Sequence, residues 1–271
     1  MTKAYFDNSA TTKLCDKAKE AIISACDAYG NPSSLHSLGT VSGEMLENAR
    51  KTIADSIKAL PEEIYFTSGG TESDNMAIVG AVKALRRRGN KIVTTAIEHS
   101  AIINTMKQLE ADGFEVVYLK PDESGTVPLS AFLDAIDEKT ILVSVMSVNN
   151  ETGCFLPIDK IKKVIVRKNS PALFHCDATQ SFMKYDINLK KCGIDLLTIS
   201  AHKIHGPKGV GALYIKKGVR ILPRTFGGEQ EKGLRPGTEP IILINGFAAA
   251  FEDFGVSTEN AKKCAEIKQY I

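Results

Sequence analysis

The sequence predicts an α/β domain built on a mostly parallel sheet. Short β-rich runs alternate with helical ones along most of the 271 residues, which is the order such a sheet requires. Several of these runs are apolar throughout, as strands buried on both faces are. Hydrophobic residues make up 43% and charged residues 24%, a soluble globular balance, and the length suits one large domain or one domain plus part of a second.

The elements follow in order. The first sixty residues hold a polar arm, a helix around Lys17–Ala28, the turn Gly30-Asn31-Pro32-Ser33-Ser34, and a helix from Val41 to about Lys58. Ile64–Thr67 reads as a strand. Thr71–Arg88 reads as a helix, with Met76, Ile78, Val79, Val82 and Leu85 on helical spacing. Further strands are expected at Lys91–Thr95, Glu115–Leu119, Ile141–Met146, Ala172–Cys176, Leu196–Ser200 and Gly209–Ile215, with helices at Ala101–Ala111 and Ile158–Val166. From about Ile241 the pattern turns helical again. No internal repeat or low-complexity linker interrupts it.

Composition excludes several roles. A formal net charge of +2 gives no reason to expect nucleic acid, and Arg86-Arg87-Arg88 reads as a solvated helix end. No apolar run reaches the roughly 20 residues that span a bilayer. No long apolar stretch follows the N-terminus, so a cytoplasmic protein is expected. Six scattered cysteines (15, 26, 154, 176, 192 and 264) form no C-x-x-C pair and are expected as reduced thiols. Metal binding through His175, Cys176, His202 and His205 lacks the paired spacing of a structural zinc site, so no metal is expected.

Chemistry concentrates in loops that follow predicted strands, where ligands bind in such sheets. In Ser200-Ala201-His202-Lys203-Ile204-His205-Gly206-Pro207-Lys208-Gly209, Lys203 can present its amine at a strand end. A shielded lysine amine loses its proton and attacks an aldehyde, and pyridoxal phosphate supplies one. The alternative is a surface lysine beside a Gly-Pro turn, with Lys208 as a competing amine. Asp177 ends an apolar run 203 − 177 = 26 residues earlier and could pair with the pyridine nitrogen, or it could cap a helix starting near Ala178. Thr67-Ser68-Gly69-Gly70-Thr71-Glu72-Ser73 links a strand to a helix, as an anion site or an ordinary N-cap turn does. Glu98-His99-Ser100 offers an imidazole that could stack on a flat ring. Asn149-Asn150-Glu151-Thr152-Gly153 offers amides, or simply a turn.

These motifs, in this order, resemble those of the cysteine desulfurases within the class V aminotransferase group. The resemblance also takes in Tyr5–Thr12, Gly30–His36, Gly227-Gly228-Glu229-Gln230-Glu231 and Arg235-Pro236-Gly237-Thr238-Glu239, and so covers nearly the whole chain. It implies the large domain of a fold type I pyridoxal-phosphate transferase, with a mostly parallel seven-stranded sheet and an incomplete small domain. Residues 1–14 would be an N-terminal arm, 15–250 the cofactor-binding domain, and 251–271 the start of the small domain. By the resemblance, Lys203 holds the cofactor covalently and shuttles protons. His99 stacks on the ring and assists acid–base steps, Asp177 faces the pyridine nitrogen and Gln180 the phenolic oxygen. Thr71, Ser200 and His202, with backbone near Gly70, hold the phosphate. Asn150 lies beside cofactor and substrate, and Thr238 reaches the phosphate of a neighbouring subunit in a homodimer.

The implied reaction converts L-cysteine to L-alanine and passes sulfur through an enzyme cysteine to an acceptor protein, as in iron–sulfur cluster assembly. The family's nucleophilic cysteine and carboxylate-binding arginine lie well after the Arg-x-Gly-Thr motif, and this sequence stops 271 − 238 = 33 residues past Thr238. Cys264 has a helical context unlike the family's mobile loop. Cys154 and Cys176 are expected to be structural, Cys176 on the strand face opposite Asp177. Ala201 replaces a common Gly. Selenocysteine lyase, an aminotransferase, or a truncated cofactor-binding protein without turnover are the alternative readings.

Overall fold

Seven short strands pair into one sheet in the order β1-β7-β6-β5-β4-β2-β3. The strands are β1 (Ile64–Thr67), β2 (Lys91–Thr95), β3 (Glu115–Leu119), β4 (Thr140–Met146), β5 (Leu173–Asp177), β6 (Leu196–Ser200) and β7 (Gly211–Ile215). The helices are α1 (Asp16–Ala25), α2 (Ser37–Ser56), α3 (Gly70–Leu85), α4 (Ser100–Ala111), α5 (Leu129–Ala135), α6 (Ile158–Arg167), α7 (Leu189–Cys192) and α8 (Ile241–Phe254). This is a computed structural model, and it describes residues 4–254, 262–263 and 266–267. Cys264 and most of the expected small-domain start lie outside the described residues.

β2 through β6 are parallel. β7 runs antiparallel to both its neighbours, pairing Ile64 with Tyr214 on one side and Leu196 with Ile215 on the other. The reversal restores β1 to the direction of β6. The carboxyl ends of β1, β2, β4, β5 and β6 therefore share one edge, where the chemistry-bearing loops emerge.

Alternating side chains divide the core between the sheet's two faces. Val93, Val143, Val145, Phe174, Cys176, Leu197 and Ile199 cluster with residues of α2, α6 and α8. Ile92, Leu142, Leu196, Leu213 and Ile215 cluster with α3 and α4. Cys176 thus faces away from Asp177, as expected from strand alternation.

The structure corrects several boundaries. α2 begins at Ser37, four residues before Val41, because the His36 ring accepts from Gly39 N and caps it. α3 ends at Leu85, ahead of the arginine run, and Arg86 lies over the Phe114 ring. β5 extends through Asp177, so that carboxylate belongs to the strand's last residue. β7 starts at Gly211, two residues after Gly209, and a Cβ at Gly211 would meet Ile199 O at 2.7 Å and Gly69 Cα at 2.8 Å, so that close approach needs glycine. α5 and α7 fell within stretches read as loop.

A buried ion pair fastens the segment after β7. Arg50 donates to both carboxylate oxygens of Glu231 at 2.8 Å and to Ile64 O, while Phe66 N donates to Glu231 Oε2. Glu231 and Lys232 both hold positive φ, at 47° and 58°. Left-handed backbone costs a non-glycine residue about 1–2 kcal/mol, which the Arg50 fork offsets.

Candidate active site

A cavity of about 590 Å³ opens at the shared strand edge. Gly70, Thr71, His99, Asn150, Asp177, Gln180, Ser200, His202 and Lys203 all line it. Thr238 is exposed and does not. Ser9, Ala10, Asp74, Met146, Val148, Glu151 and Thr179, none given a role from the sequence, complete the lining. Asp74 carried a readable signal: it falls on the buried stripe of α3 with Ala77, Ile78 and Ala81.

Each side chain is placed by its strand or loop. Lys203 follows β6 in a short 3-10 turn. Its ammonium donates to the carbonyls of Ser9 and Ala10, so the N-terminal arm crosses the cavity mouth. Burial pushes its pKa below the ordinary lysine value, against the pull of Asp177 and Asp7. Thr12 and His202 tie down the same arm, through Thr12 N to His202 O at 3.0 Å and His202 Nδ1 to Thr11 Oγ1 at 3.1 Å. Gln180 Nε2 donates to Ser9 O at 2.9 Å.

Asp177 is 5% exposed. Its Oδ1 accepts from Thr179 N at 2.8 Å and closes a turn; no helix follows. Burial raises its pKa, opposed by hydrogen bonding from Thr179 and by the nearby Lys203 charge. His99 caps α4, its Nδ1 accepting from Ala101 N at 3.2 Å. The preceding Glu98 accepts from Met146 N and Thr95 Oγ1, and burial lifts its pKa to about 8. Asn149 builds the following turn, accepting from Glu151 N and Thr152 N and donating to Ile97 O, which leaves Asn150 on the cavity wall.

The α3 end of the cavity fits a phosphate. Gly69, at φ 149° and ψ −175°, starts α3 with no side-chain cap, so the helix's first N–H groups face the recess. Ser200 Oγ is buried beside them without a hydrogen-bond partner. A Cβ on Gly70 would come within 3.2 Å of Thr179 Oγ1, so glycine keeps that cradle open. Lys208 lines the adjoining recess with Ser68, Gly69, Thr71 and His202, on the anion side and away from Asp177. Burial, helped by Lys203 and Lys208, holds His202 down to about pKa 4, a neutral ring at pH 7. Anion cradle, amine and acid thus line one cavity in the arrangement a flat phosphorylated aldehyde requires.

Among the described residues no cluster of His, Cys, Asp or Glu could hold a metal ion, and no helix is long and apolar enough to cross a membrane. Cys154 donates to Ser124 O, and Cys176 is buried.

Comparison with known proteins identifies the chain's relatives. The chain is 44% identical over 253 residues to a putative cysteine desulfurase IscS 1 of Bacillus subtilis, covering 93% of this chain and 66% of that one. It is 46% identical over 249 residues to a cysteine desulfurase IscS of Methanosarcina thermophila, covering 92% and 61%. It therefore spans about two thirds or less of the length of these curated relatives. A solved structure titled NifS-like protein superposes with a TM-score of 0.92 at 41% identity, covering 97% of this chain and 71% of that one. Another, SspA in complex with cysteine, gives 0.89 at 38% identity, covering 98% and 78%. The family profile described as Aminotransferase class-V matches residues 4–270, and the chain belongs to that family.

Proposed function

We propose that this chain is the cofactor-binding part of a pyridoxal-phosphate-dependent cysteine desulfurase, releasing L-alanine from L-cysteine and passing sulfur on. The observation that carries the reading is one cavity with Lys203, Asp177 and an uncapped helix N-terminus beside the unpartnered Ser200 hydroxyl. The relatives named cysteine desulfurase support the substrate, and one structural neighbour is in complex with cysteine.

Bound pyridoxal phosphate supplies an aldehyde for a lysine amine and a ring that draws electrons from the substrate. The rest falls to the protein. Lys203 presents a partly shielded amine, which favours the neutral, nucleophilic form and suits a proton carrier at the substrate carbon. Asp177 would hold a proton on the ring nitrogen. His99 would wall one face of the ring. Ser200, Thr71, His202 and the α3 N–H groups would bind the phosphate, Gln180 the phenolic oxygen, and Asn150 would sit beside the substrate. Thr238, exposed here, would serve the phosphate site of a second copy in a homodimer. A sulfur acceptor protein, a role in iron–sulfur cluster assembly and a cytoplasmic location belong to the same proposal.

The test is cofactor capture. Wild type and Lys203→Ala are mixed with pyridoxal phosphate, reduced with borohydride and digested for mass spectrometry. The expected result is a visible absorption band and a covalent adduct on Lys203 in wild type alone. An adduct on Lys208 instead, or none on a folded chain, would overturn the assignment. L-Cysteine with a reductant should then yield sulfide and L-alanine; amino-group transfer without sulfide would favour an aminotransferase.

A further inference from the structure

On the α3 face of the sheet, beneath the cavity, the core carries a polar ribbon. Thr94, Ser144, His175 and Thr198 come from β2, β4, β5 and β6, and each is 0% exposed. Thr94 Oγ1 donates to Ser144 O at 2.9 Å. Ser144 Oγ lies 2.9 Å from His175 Nδ1, and His175 Nε2 lies 3.1 Å from Thr198 Oγ1. The ribbon ends beside Asp74 of α3, which is 2% exposed. Asp74 Oδ1 sits 3.6 Å from His175 Nε2 and has no hydrogen-bond partner.

Burial pushes His175 down to about pKa 3, so its ring is neutral and carries one N–H between Ser144 Oγ and Thr198 Oγ1. The ribbon satisfies its own groups and leaves Asp74 Oδ1 buried without a hydrogen bond, while Asp74 lines the cavity together with Asp177.

The charged and titratable groups around Asp74 are Asp177 and His175 on β5, Glu98 and His99 after β2, and Lys203 after β6. Asp177 has the cation: Lys203 favours its charge. For Asp74, Asp177 and Glu98 add repulsion to burial and hold its pKa well above the carboxylate range. A carboxyl this deep without a charged partner keeps its proton.

We infer that Asp74 is a positioning residue for Asp177: it stands protonated at the cavity wall, so the two acids together carry one negative charge, placed on Asp177. Two carboxyls in one site with environments this different divide the roles of acid and anion between them. The part played toward a pyridine nitrogen rests on the cofactor reading; the proton on Asp74 does not.

Two measurements test it. Infrared spectra of the cofactor-free protein near neutral pH should contain a protonated-carboxyl band that vanishes in Asp74→Asn; loss of an ionised-carboxylate band instead would overturn the inference. Holoprotein titrations then follow the pH midpoint of the bound cofactor's absorption. Asp74→Ala should shift that midpoint by about one unit and weaken cofactor binding about tenfold, while Asp74→Asn, the neutral isostere, restores both. A midpoint unmoved in both variants makes Asp74 a packing residue and sinks the idea. Should wild type capture no cofactor, the cofactor reading fails, and the infrared comparison still decides the proton. Thr198→Val keeps the test open if Asp74→Asn does not fold: it removes a neighbouring hydroxyl and should shift the same carboxyl band, whereas an unshifted band would count against the inference.

Discussion

Glu98 and His175 are both buried near the candidate site, and they respond to pH in opposite senses. Glu98 has its pKa raised from 4.5 to about 8. Between those values the folded chain keeps a proton that the unfolded chain releases, so stability falls as pH rises through the window and then levels. His175 has its pKa lowered from 6.5 to about 3, so its contribution is lost as pH falls from 6.5 towards 3. Glu98→Gln should therefore lose less stability than wild type between about pH 5 and pH 8.5, by on the order of 2 kcal/mol in urea denaturation. Equal losses in both proteins would mean that Glu98 is already ionised when folded. These two residues also mark what the sequence could reveal. His99 and Lys203 were legible because each follows an apolar run in a loop. His175 was not, because inside an apolar run nothing local states that Ser144 and Thr198 will flank its ring.

At the scale of elements, the loops that build the site were easier to read than the contacts that brace them. Apolar runs followed by Gly, Asn or Asp mark strand ends, and the loops after β1, β2, β4, β5 and β6 do meet at one edge. The reversal of β7 leaves no such mark, since an apolar five-residue strand reads the same in either direction. Nor does the Arg50–Glu231 pair, whose members lie 181 residues apart. That pair joins α2, β1 and the strained turn at Glu231, and it invites a direct test. Glu231→Ala leaves the Arg50 guanidinium with only the exposed Glu47 carboxylate and Ile64 O, and leaves Phe66 N without its acceptor. The expected cost is about 3–5 kcal/mol, read as a shift in denaturant midpoint. A loss under about 1 kcal/mol would show that water reaches Arg50 and that the turn holds itself.

For the molecule as a whole, the fold class was readable because it follows from the order of elements, and the expected sheet and its mostly parallel character match the structure. The strand order depends on pairings that skip along the chain. β1 touches no strand near it in sequence; its partner is β7, through Ile64 to Tyr214 and Thr67 to Gly211. Such a pairing has high contact order, and closing so long a loop is slow relative to local helix formation. The anion cradle hangs from the end of β1, so it has no anchored floor until β7 has been made and docked. Secondary structure should therefore recover first in refolding, with cofactor capture trailing it as a separate, slower phase. On the ribosome, a nascent chain ending before Gly211 would hold most of the sheet and still be unable to keep the cofactor.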